Sequence, residues 1–208
     1  MPLNSESLTY WYFRLNGFFT IPNFIVHPDR GNLQHTDVDV LGIRLKDRQE
    51  LVVDPMTDDA LFTNVGKAFI AIAEVKRDRI AFNRTWTEPD LQNVHRFLRA
   101  CGAFPSGDIN TVAEAIYQHG LYTGDAAFHV SLIGIGRHVN ATICQDRPGI
   151  PQITWDHIAG FIFSRFRRYR RQKSHHDQWS EDGQELWNLW ERHAEDKQAF
   201  RVALDDAL

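Results

Sequence analysis

Two short stretches of this 208-residue chain carry the residues best suited to chemistry. The first is TDVDV, with Asp37 and Asp39, and the second is FIAIAEVK, an apolar run that ends in Glu74 and Lys76. Residues two apart on a β-strand project from the same face, so each stretch presents its two charged side chains together. If the two strands are neighbours, a carboxylate from each meets at the edge of the sheet.

These groups are suited to binding a divalent metal ion. Asp39 and Glu74, with the backbone carbonyl of Val75, form the oxygen set that Mg²⁺ or Mn²⁺ accepts, and positions are left for water and a phosphate oxygen. A cation would also compensate the charges that burial at the end of a core strand penalises. The Lys76 ammonium would orient the attacking water and stabilise charge developing on the phosphate. The combination predicts phosphodiester hydrolysis.

The apolar periodicity predicts a helix, three strands, helices, one or two strands, and C-terminal helices. Alternation in the second strand puts Val38 and Val40 on the face opposite to Asp39. This order predicts an α/β or α+β fold with a central mixed sheet flanked by helices. The predicted strands are residues 18–27, 36–45, 66–76, 127–136 and 140–145, and helices are expected to begin at or just after the residues Ser5, Thr87, Val112 and Thr154.

On these residues the chain resembles the PD-(D/E)XK nuclease superfamily, which has the restriction-endonuclease-like fold. TDVDVLGI followed by IAEVK is similar to its pattern of an Asp on the second strand and Glu-x-Lys on the third, and the element order fits from about Ser5 to about Ile135. The resemblance implies an αβββαβ core with Asp39 as the motif aspartate, Glu74 as the motif acid and Lys76 as the motif lysine. It implies a Mg²⁺- or Mn²⁺-dependent nuclease acting on DNA, in preference to RNA, in defence against foreign DNA or in repair.

Several alternatives for the metal ligands remain open. Asp37 shares a face with Asp39, which is preferred because it directly precedes VLG. Asp54, in VVDP, lies in the long gap before Glu74 and is the ligand if the strands pair differently. Glu6 is either the acid that some branches of the superfamily carry on the first helix or a partner of that helix's N-terminus. The chain also lacks the Pro that often precedes the motif aspartate.

A basic block and an acidic tail lie side by side near the end of the chain. The block runs from position 165 to position 173 and has six basic residues and no acid, interleaved with Phe166 and Tyr169. Such a block is typical of contact with a phosphate backbone, and its alternatives are a solvated helix face or pairing with the acidic last helix. The predicted nucleic-acid contacts are Arg165, Arg167, Arg168, Arg170, Arg171 and Lys173.

The chain is long enough for one domain and a terminal appendage, predicted as a nuclease-like core over 1–153 and C-terminal helices over 154–208 that pack on it. The last helix is rich in tryptophan (Trp179, Trp187 and Trp190), which suggests packing on the core, or a homodimer or protein partner. The sequence has no apolar run long enough to cross a bilayer, and its N-terminus does not resemble a signal peptide. The chain is therefore expected in the cytoplasm and away from membranes.

Other classes of site have little support in the sequence. The two cysteines are too few for a disulfide scaffold, and the ten histidines include no spaced ligand pair, since His175 and His176 are adjacent. A nucleophile elbow is also missing, which disfavours an unrelated α/β hydrolase. The main competing hypothesis is a catalytically inactive module that keeps the nuclease fold and binds nucleic acid or a protein partner in a larger complex.

Overall fold

The computed structural model describes residues 3–28, 36–63, 65–174 and 180–208, and these form a mixed sheet flanked by helices. The sheet has the strand order β1-β2-β3-β5-β4, with β6 also pairing with β5. Its strands are β1 (Phe19–Val26), β2 (Thr36–Arg44), β3 (Ala68–Val75), β4 (Leu121–Tyr122), β5 (Phe128–Gly136) and β6 (Gln152–Thr154).

The strand directions divide the sheet into two parts. β1 pairs with β2 and β2 pairs with β3 in antiparallel fashion, whereas β3 and β5 are parallel. β6 is also parallel to β5, and β4 is antiparallel to it. The carboxyl ends of β3 and β5 therefore lie at the same end of the sheet as the beginning of β2. β1 is an edge strand, which agrees with the presence of Pro22 in it.

Helices cover both faces of the sheet. One buried cluster joins residues of α1, α7, α9 and α10 to one face, and a second joins α4 and α5 to the other. The helices are α1 (Ser5–Leu15), α2 (Ala60–Thr63), α3 (Arg84–Thr87), α4 (Asn93–Cys101), α5 (Ile109–His119), α6 (Ala141–Asp146), α7 (Trp155–Arg168), α8 (Arg170–Lys173), α9 (Glu181–Arg192) and α10 (Lys197–Asp206), with a 3₁₀ turn at Pro89–Leu91.

The continuous apolar run of β3 follows from this arrangement. Phe69, Ala71 and Ala73 pack in the first cluster, while Ile70 and Ile72 pack in the second. A strand that is buried on both faces needs apolar residues at every position, which is the usual pattern of a central strand. The mixed sheet flanked by helices, predicted from the sequence, is confirmed.

Three local predictions are wrong. The predicted strand over 140–145 is instead the N-cap Asn140 and most of the helix α6. The Asn140 side chain accepts a hydrogen bond from the Thr142 amide and caps the helical turn. The N-cap of α1 is Asn4 and not Ser5, in a capping box with Ser7. Thr87 ends the short helix α3 and caps no helix.

The alternation predicted for β2 is interrupted beside Asp39. Val38 packs in the same cluster as Leu41, whereas Val40 packs in the cluster on the other face of the sheet. The neighbouring strand β1 is irregular at the same level. Asn23, which lies between the two β1 residues that pair with Val38 and Val40, has a positive φ of 50°. Asp39 therefore sits at a local break in regular pairing.

Candidate metal site at the ends of β2 and β3

Asp39 is fixed against the end of β3 by a hydrogen bond. The paired register of β2 with β3 runs from Arg44 opposite Phe69 to Val40 opposite Ala73. Beyond this pair, the Val75 amide donates to Oδ2 of Asp39 over 2.6 Å. The carboxylate of Asp39 thus accepts the hydrogen bond of the Val75 amide at the point where the two strands separate. Val75 directly follows Glu74 in the chain, so the Asp39 carboxylate is held beside the end of β3 that carries Glu74.

Glu74 is a buried carboxylate with only one of its two oxygens satisfied. The residue is 1% exposed, and Oε1 accepts a hydrogen bond from the Lys76 ammonium. Oε2 is buried and has no hydrogen-bond partner among the described residues. Burial raises the pKa of Glu74, the Lys76 ammonium opposes this shift, and the negative charges of Asp39 and Asp37 add to it. The site therefore concentrates negative charge that the described residues leave partly uncompensated.

Glu6 and Asp37 lie in the same charged region. Glu6 is in the first turn of α1, yet the capping box of that helix uses Asn4 and Ser7 instead. Burial raises the pKa of Glu6, and the charges of Asp39 and Asp37 raise it further. Burial likewise raises the pKa of Asp39, with the Val75 amide and Lys76 acting against the shift and Asp37 adding to it. The charges of Asp37 and Asp39 thus act on both Glu6 and Glu74.

Asp54 lies elsewhere and has a different partner. Its carboxylate accepts a hydrogen bond from Arg168 at 2.8 Å, and both side chains are exposed. The charges that act on Glu74 are those of Lys76, Asp39 and Asp37, and not that of Asp54. The alternative in which Asp54 meets Glu74 therefore disagrees with the structure, because the chain pairs β3 with the strand that carries Asp39.

Asp59, the last acid of the long gap, belongs to a separate polar cluster. Its Oδ2 accepts from the Tyr12 hydroxyl at 2.8 Å and lies 2.6 Å from Nε2 of His157. Burial alone would raise the pKa of Asp59, but hydrogen bonds from His157, the Leu61 amide and Tyr12 together lower it. The same contact raises the pKa of His157. These residues join α1, α2 and α7 and contribute nothing to the carboxylate group at β3.

The basic block is only partly available to a ligand. Arg165 is buried, and its guanidinium donates to Asp58 at 2.8 Å and to the Thr57 carbonyl at 2.9 Å. Its predicted role in nucleic-acid contact is wrong, since a buried, paired guanidinium cannot reach a phosphate backbone. Arg168 forms an ion pair with Asp54 at 2.8 Å.

The other members of the block differ in their surroundings. The guanidinium carbon of Arg170 lies over the ring of Trp190, 5.7 Å from the ring centroid. Lys173 is half-buried, and burial lowers its pKa. Arg167 and Arg171 are exposed, and neither guanidinium has a hydrogen bond or ion pair with another described residue. Two of the six predicted contacts are therefore both exposed and unpaired.

Two tryptophans of α9 are used inside the monomer. Trp187 and Trp190 are buried, and their rings lie 5.0 and 5.8 Å from that of Phe166 on α7. Their burial agrees with the alternative in which the tryptophans of this helix pack on the core. Trp179, His175 and His176 lie outside the described residues.

Sequence reasoning missed the charges that follow β3 and β5. Arg77 and Arg79 are exposed directly after Lys76, and Arg137 and His138 follow β5 at the same end of the sheet. The signal was present in the sequence as the run KRDR after Glu-x-Lys, but an isolated pair of arginines in a loop is too common to stand out beside a block of six basic residues.

The donor set fits a hard divalent cation. Within the described parts of the chain, no group of three or more His, Cys, Asp and Glu side chains is placed to hold a metal ion. The predicted set is smaller, with two carboxylates and the Val75 carbonyl, and leaves the other positions to water and substrate. The buried Oε2 of Glu74 is the observation that favours a cation, because a buried carboxylate oxygen without a donor is costly and a metal ion supplies the missing partner.

A cavity of about 1060 Å³ lies at the other end of the sheet and is separate from this site. It is lined in part by Arg14, Phe19, Arg48 and Ala68, and by none of the acids Glu6, Asp37, Asp39 and Glu74. Ala68 begins β3, so the length of the strand, roughly 3.3 Å per residue, separates the cavity from Glu74.

Comparison of the chain with protein-family models, with curated proteins and with solved structures gives no match. In the described residues, no helix is both long enough and apolar enough to cross a bilayer.

Proposed function

We propose that this protein is a metal-dependent nuclease that hydrolyses the phosphodiester bonds of DNA. The observation that carries the proposal is the buried Glu74 carboxylate. One of its oxygens accepts a hydrogen bond from Lys76, and the other has no partner among the described residues. The carboxylate of Asp39 is fixed beside it by the Val75 amide. Two carboxylates and an ammonium at the end of a core strand suit a reaction in which charge on phosphate must be stabilised.

The order of elements supports the same class of protein. Helix α1 precedes three consecutive antiparallel strands, and further helices lead to β5, which is parallel to β3. This agrees with the αβββαβ core of the restriction-endonuclease-like fold that the sequence resembles. Asp39 on β2 and Glu74 at the end of β3 occupy the positions that the resemblance assigns to the metal ligands. Defence against foreign DNA and DNA repair are the contexts that this class suggests.

Asp39, Glu74 and the Val75 carbonyl would hold Mg²⁺ or Mn²⁺, and Glu6 and Asp37 would add negative charge around it. When bound, the ion supplies Lewis acidity toward a phosphate oxygen and an acidified water. In the hydrolysis, a water oxygen bonds to phosphorus, the bond from phosphorus to one ester oxygen breaks, and that leaving oxygen takes up a proton.

Lys76 has a direct part in this reaction. Its ammonium is partly exposed while the carboxylate of Glu74 anchors it from the buried side. An ammonium held in this way can donate hydrogen bonds to the attacking water and to the phosphate oxygens, on which negative charge grows. Because Glu74 fixes the ammonium before substrate binds, little reorganisation is needed during the reaction.

The assignment of the ligands predicts opposite results for two aspartates. Asp39→Asn should lower the rate of DNA cleavage about 100-fold or more, since it removes a metal ligand, and Asp54→Asn should cleave like the wild type because Asp54 is exposed on Arg168. The measurement is cleavage of linear, circular and single-stranded DNA and of RNA with Mg²⁺ or Mn²⁺, each repeated with EDTA.

The outcomes of this assay separate the two classes of function. Cleavage that needs the metal and is lost in Asp39→Asn supports the nuclease. An active Asp39→Asn together with an inactive Asp54→Asn would contradict the ligand assignment. Binding of nucleic acid with no cleavage of any substrate would instead favour a catalytically inactive module with the nuclease fold.

Metal binding should strengthen as pH rises. The pKa values of Glu6, Asp39 and Glu74 are raised in the folded protein. These carboxyl groups therefore bind more protons in the folded state than in the unfolded state. As a result, their contribution lowers the free energy of unfolding as pH rises above the ordinary carboxyl range. Mg²⁺ must displace those protons. We expect Mg²⁺ to raise the thermal unfolding midpoint more at pH 7.5 than at pH 5.0. At a concentration 100 times Kd, binding stabilises the protein by about 2.7 kcal/mol.

The matched control for the metal titration is Glu74→Gln, which keeps the size of the side chain and loses its charge. This variant should show a much smaller Mg²⁺-dependent shift at pH 7.5. An equal shift in the wild type and the variant would place the ion elsewhere on the protein.

A further inference from the structure

The segment that follows β3 is held rigidly against the segment that follows β5. The Lys76 amide donates to the Ile135 carbonyl at 2.8 Å, the Arg137 amide to the Asp78 carbonyl at 2.6 Å, and the Ile80 amide to the His138 carbonyl at 2.9 Å. Arg79 and His138 also form a parallel bridge. We refer to residues 76–80 as the tip segment, and its backbone is thus as well paired as that of a strand.

A glycine makes this close approach possible. A Cβ atom at Gly136 would lie 2.8 Å from the Asp78 carbonyl oxygen and 3.1 Å from that of Lys76. The two segments can therefore approach this closely only with glycine at position 136. On the other side, the indole of Trp155 donates to the Arg77 carbonyl at 3.1 Å and fixes the tip segment to the start of α7.

The tip segment carries two exposed arginines that have no internal partner in the described part of the chain. Arg77 and Arg79 are exposed, and neither guanidinium has a hydrogen bond or ion pair with another residue of the described chain. Nearby charges are paired: Arg137 contacts Asp205 at 2.7 Å, and His138 lies 3.5 Å from Asp78. Arg77 and Arg79, which we refer to as the tip arginines, are thus the free cations closest in the chain to Lys76.

The exposed arginines of the C-terminal block are much farther from the site. α7 begins at Trp155, which contacts the tip segment, and Arg167 lies twelve residues later. At about 1.5 Å per residue, this places Arg167 roughly 18 Å along the helix from the tip segment. Arg171 lies still farther along the chain, on α8. These two residues, referred to below as the helix arginines, are remote from the carboxylates.

We propose that the tip arginines bind the phosphates of the DNA strand on either side of the bond that is cut. This inference rests on the proposed function, and it moves the main backbone contact from the predicted helical block to the tip segment. Guanidinium groups pair with phosphate oxygens through two parallel hydrogen bonds, and a free exposed arginine needs to break no internal ion pair to do so. The paired backbone of the tip segment fixes the positions of both residues directly after Lys76 in the chain.

The test compares two double variants in a Glu74→Gln background, where cleavage does not consume the DNA. Binding of a short duplex to Arg77→Gln/Arg79→Gln and to Arg167→Gln/Arg171→Gln is measured by fluorescence anisotropy from about 50 to 200 mM salt. Each lost phosphate contact lowers the slope of log K against log salt by about 0.9. We expect the tip variant to lose about 2 in slope and at least ~10-fold in affinity, and the helix variant to bind like the parent.

Four results are distinguishable. Equal binding by the tip variant and the parent, loss of binding only in the helix variant, or no DNA binding by the parent would each overturn the inference. If the otherwise wild-type protein cuts no nucleic acid but the tip variant still loses affinity, the proposed catalysis fails, while the contact of the tip arginines with DNA phosphates stands. Both double variants change exposed side chains, so their unfolding midpoints should equal that of the parent.

Discussion

Replacing Glu74 with glutamine is expected to lower the rate of DNA cleavage by about 1000-fold, an effect typical of removing a group that stabilises charge in the transition state. The amide cannot carry the negative charge that binds a divalent ion, and it no longer holds the Lys76 ammonium by an ion pair. Single-turnover cleavage of a labelled duplex at saturating enzyme measures the chemical step directly.

Lys76→Met separates the two roles at this site. Methionine keeps the length of the aliphatic chain and removes the ammonium, so Mg²⁺ should still raise the unfolding midpoint while cleavage falls by about 100-fold or more. In Glu74→Gln, by contrast, both the cleavage and the Mg²⁺-dependent shift should be lost. A Lys76→Met variant that cleaves at the wild-type rate would remove Lys76 from the mechanism.

Exposed residues of the same types provide controls for this pair. Lys46 and Glu191 are exposed and lie outside the charged region at the end of β3. Lys46→Met and Glu191→Gln should therefore cleave like the wild type. A similar loss of activity in these controls would show that the assay reports a general effect of charge and not the chemistry of the site.

The part of the site that the sequence predicts is the part encoded over short distances. The apolar run before Glu74 requires a strand buried on both faces, and the spacing of Glu74 and Lys76 puts their charges together at its end. Thr154 likewise predicts the start of α7, and its hydroxyl does accept a hydrogen bond from the His157 amide. Such features depend on a few consecutive residues, so the periodicity of apolar residues and the capping residues are sufficient to predict them.

The part that the sequence does not predict depends on residues far apart in the chain. Whether Asp39 or Asp54 meets Glu74 is decided by strand pairing across more than thirty positions, and both aspartates have similar neighbours in sequence. Residues 140–145 contain β-branched residues that suit a strand, but the side chain of Asn140 makes a helical turn more favourable.

Arg165 shows the same limit most clearly. In sequence it is one of six basic residues on an amphipathic helix, and its environment there predicts nothing different from that of Arg167. In the structure it is buried, because Asp58 approaches it from the irregular segment between β2 and β3. Only the fold identifies the arginine that has a carboxylate partner.

The surroundings of Asp58 form a buried ion cluster with an excess of positive charge. Its carboxylate contacts Arg44 at 2.9 Å, Arg48 at 2.7 Å and Arg165 at 2.8 Å. The side chains of Asp58 and Arg165 are 4% and 1% exposed. Arg48 has a second acidic partner in Glu50. Asp58 thus joins the end of β2 to α7, and it is the carboxylate on which all three guanidinium groups converge.

Replacing Asp58 with alanine should therefore lower the free energy of unfolding by about 3–5 kcal/mol, the usual result when one partner of a buried ion pair is removed and its partners stay buried without compensation. This is a large fraction of the 5–15 kcal/mol that typical domains have. Urea unfolding of the wild type and variant, followed by circular dichroism, gives the difference. Since the cluster is buried, the difference should change little between low and high salt.

Asp54→Ala is the matched control, because Asp54 also pairs with an arginine of α7, but at the surface, where the two side chains are 54% and 63% exposed. It should cost no more than about 1 kcal/mol, and less at high salt. If Asp58→Ala does not fold, Arg165→Met provides the measurement, since it leaves Asp58 with two arginine partners and should cost less than Asp58→Ala. Equal stabilities for Asp58→Ala, Asp54→Ala and the wild type would show that the cluster does not hold α7 to the sheet.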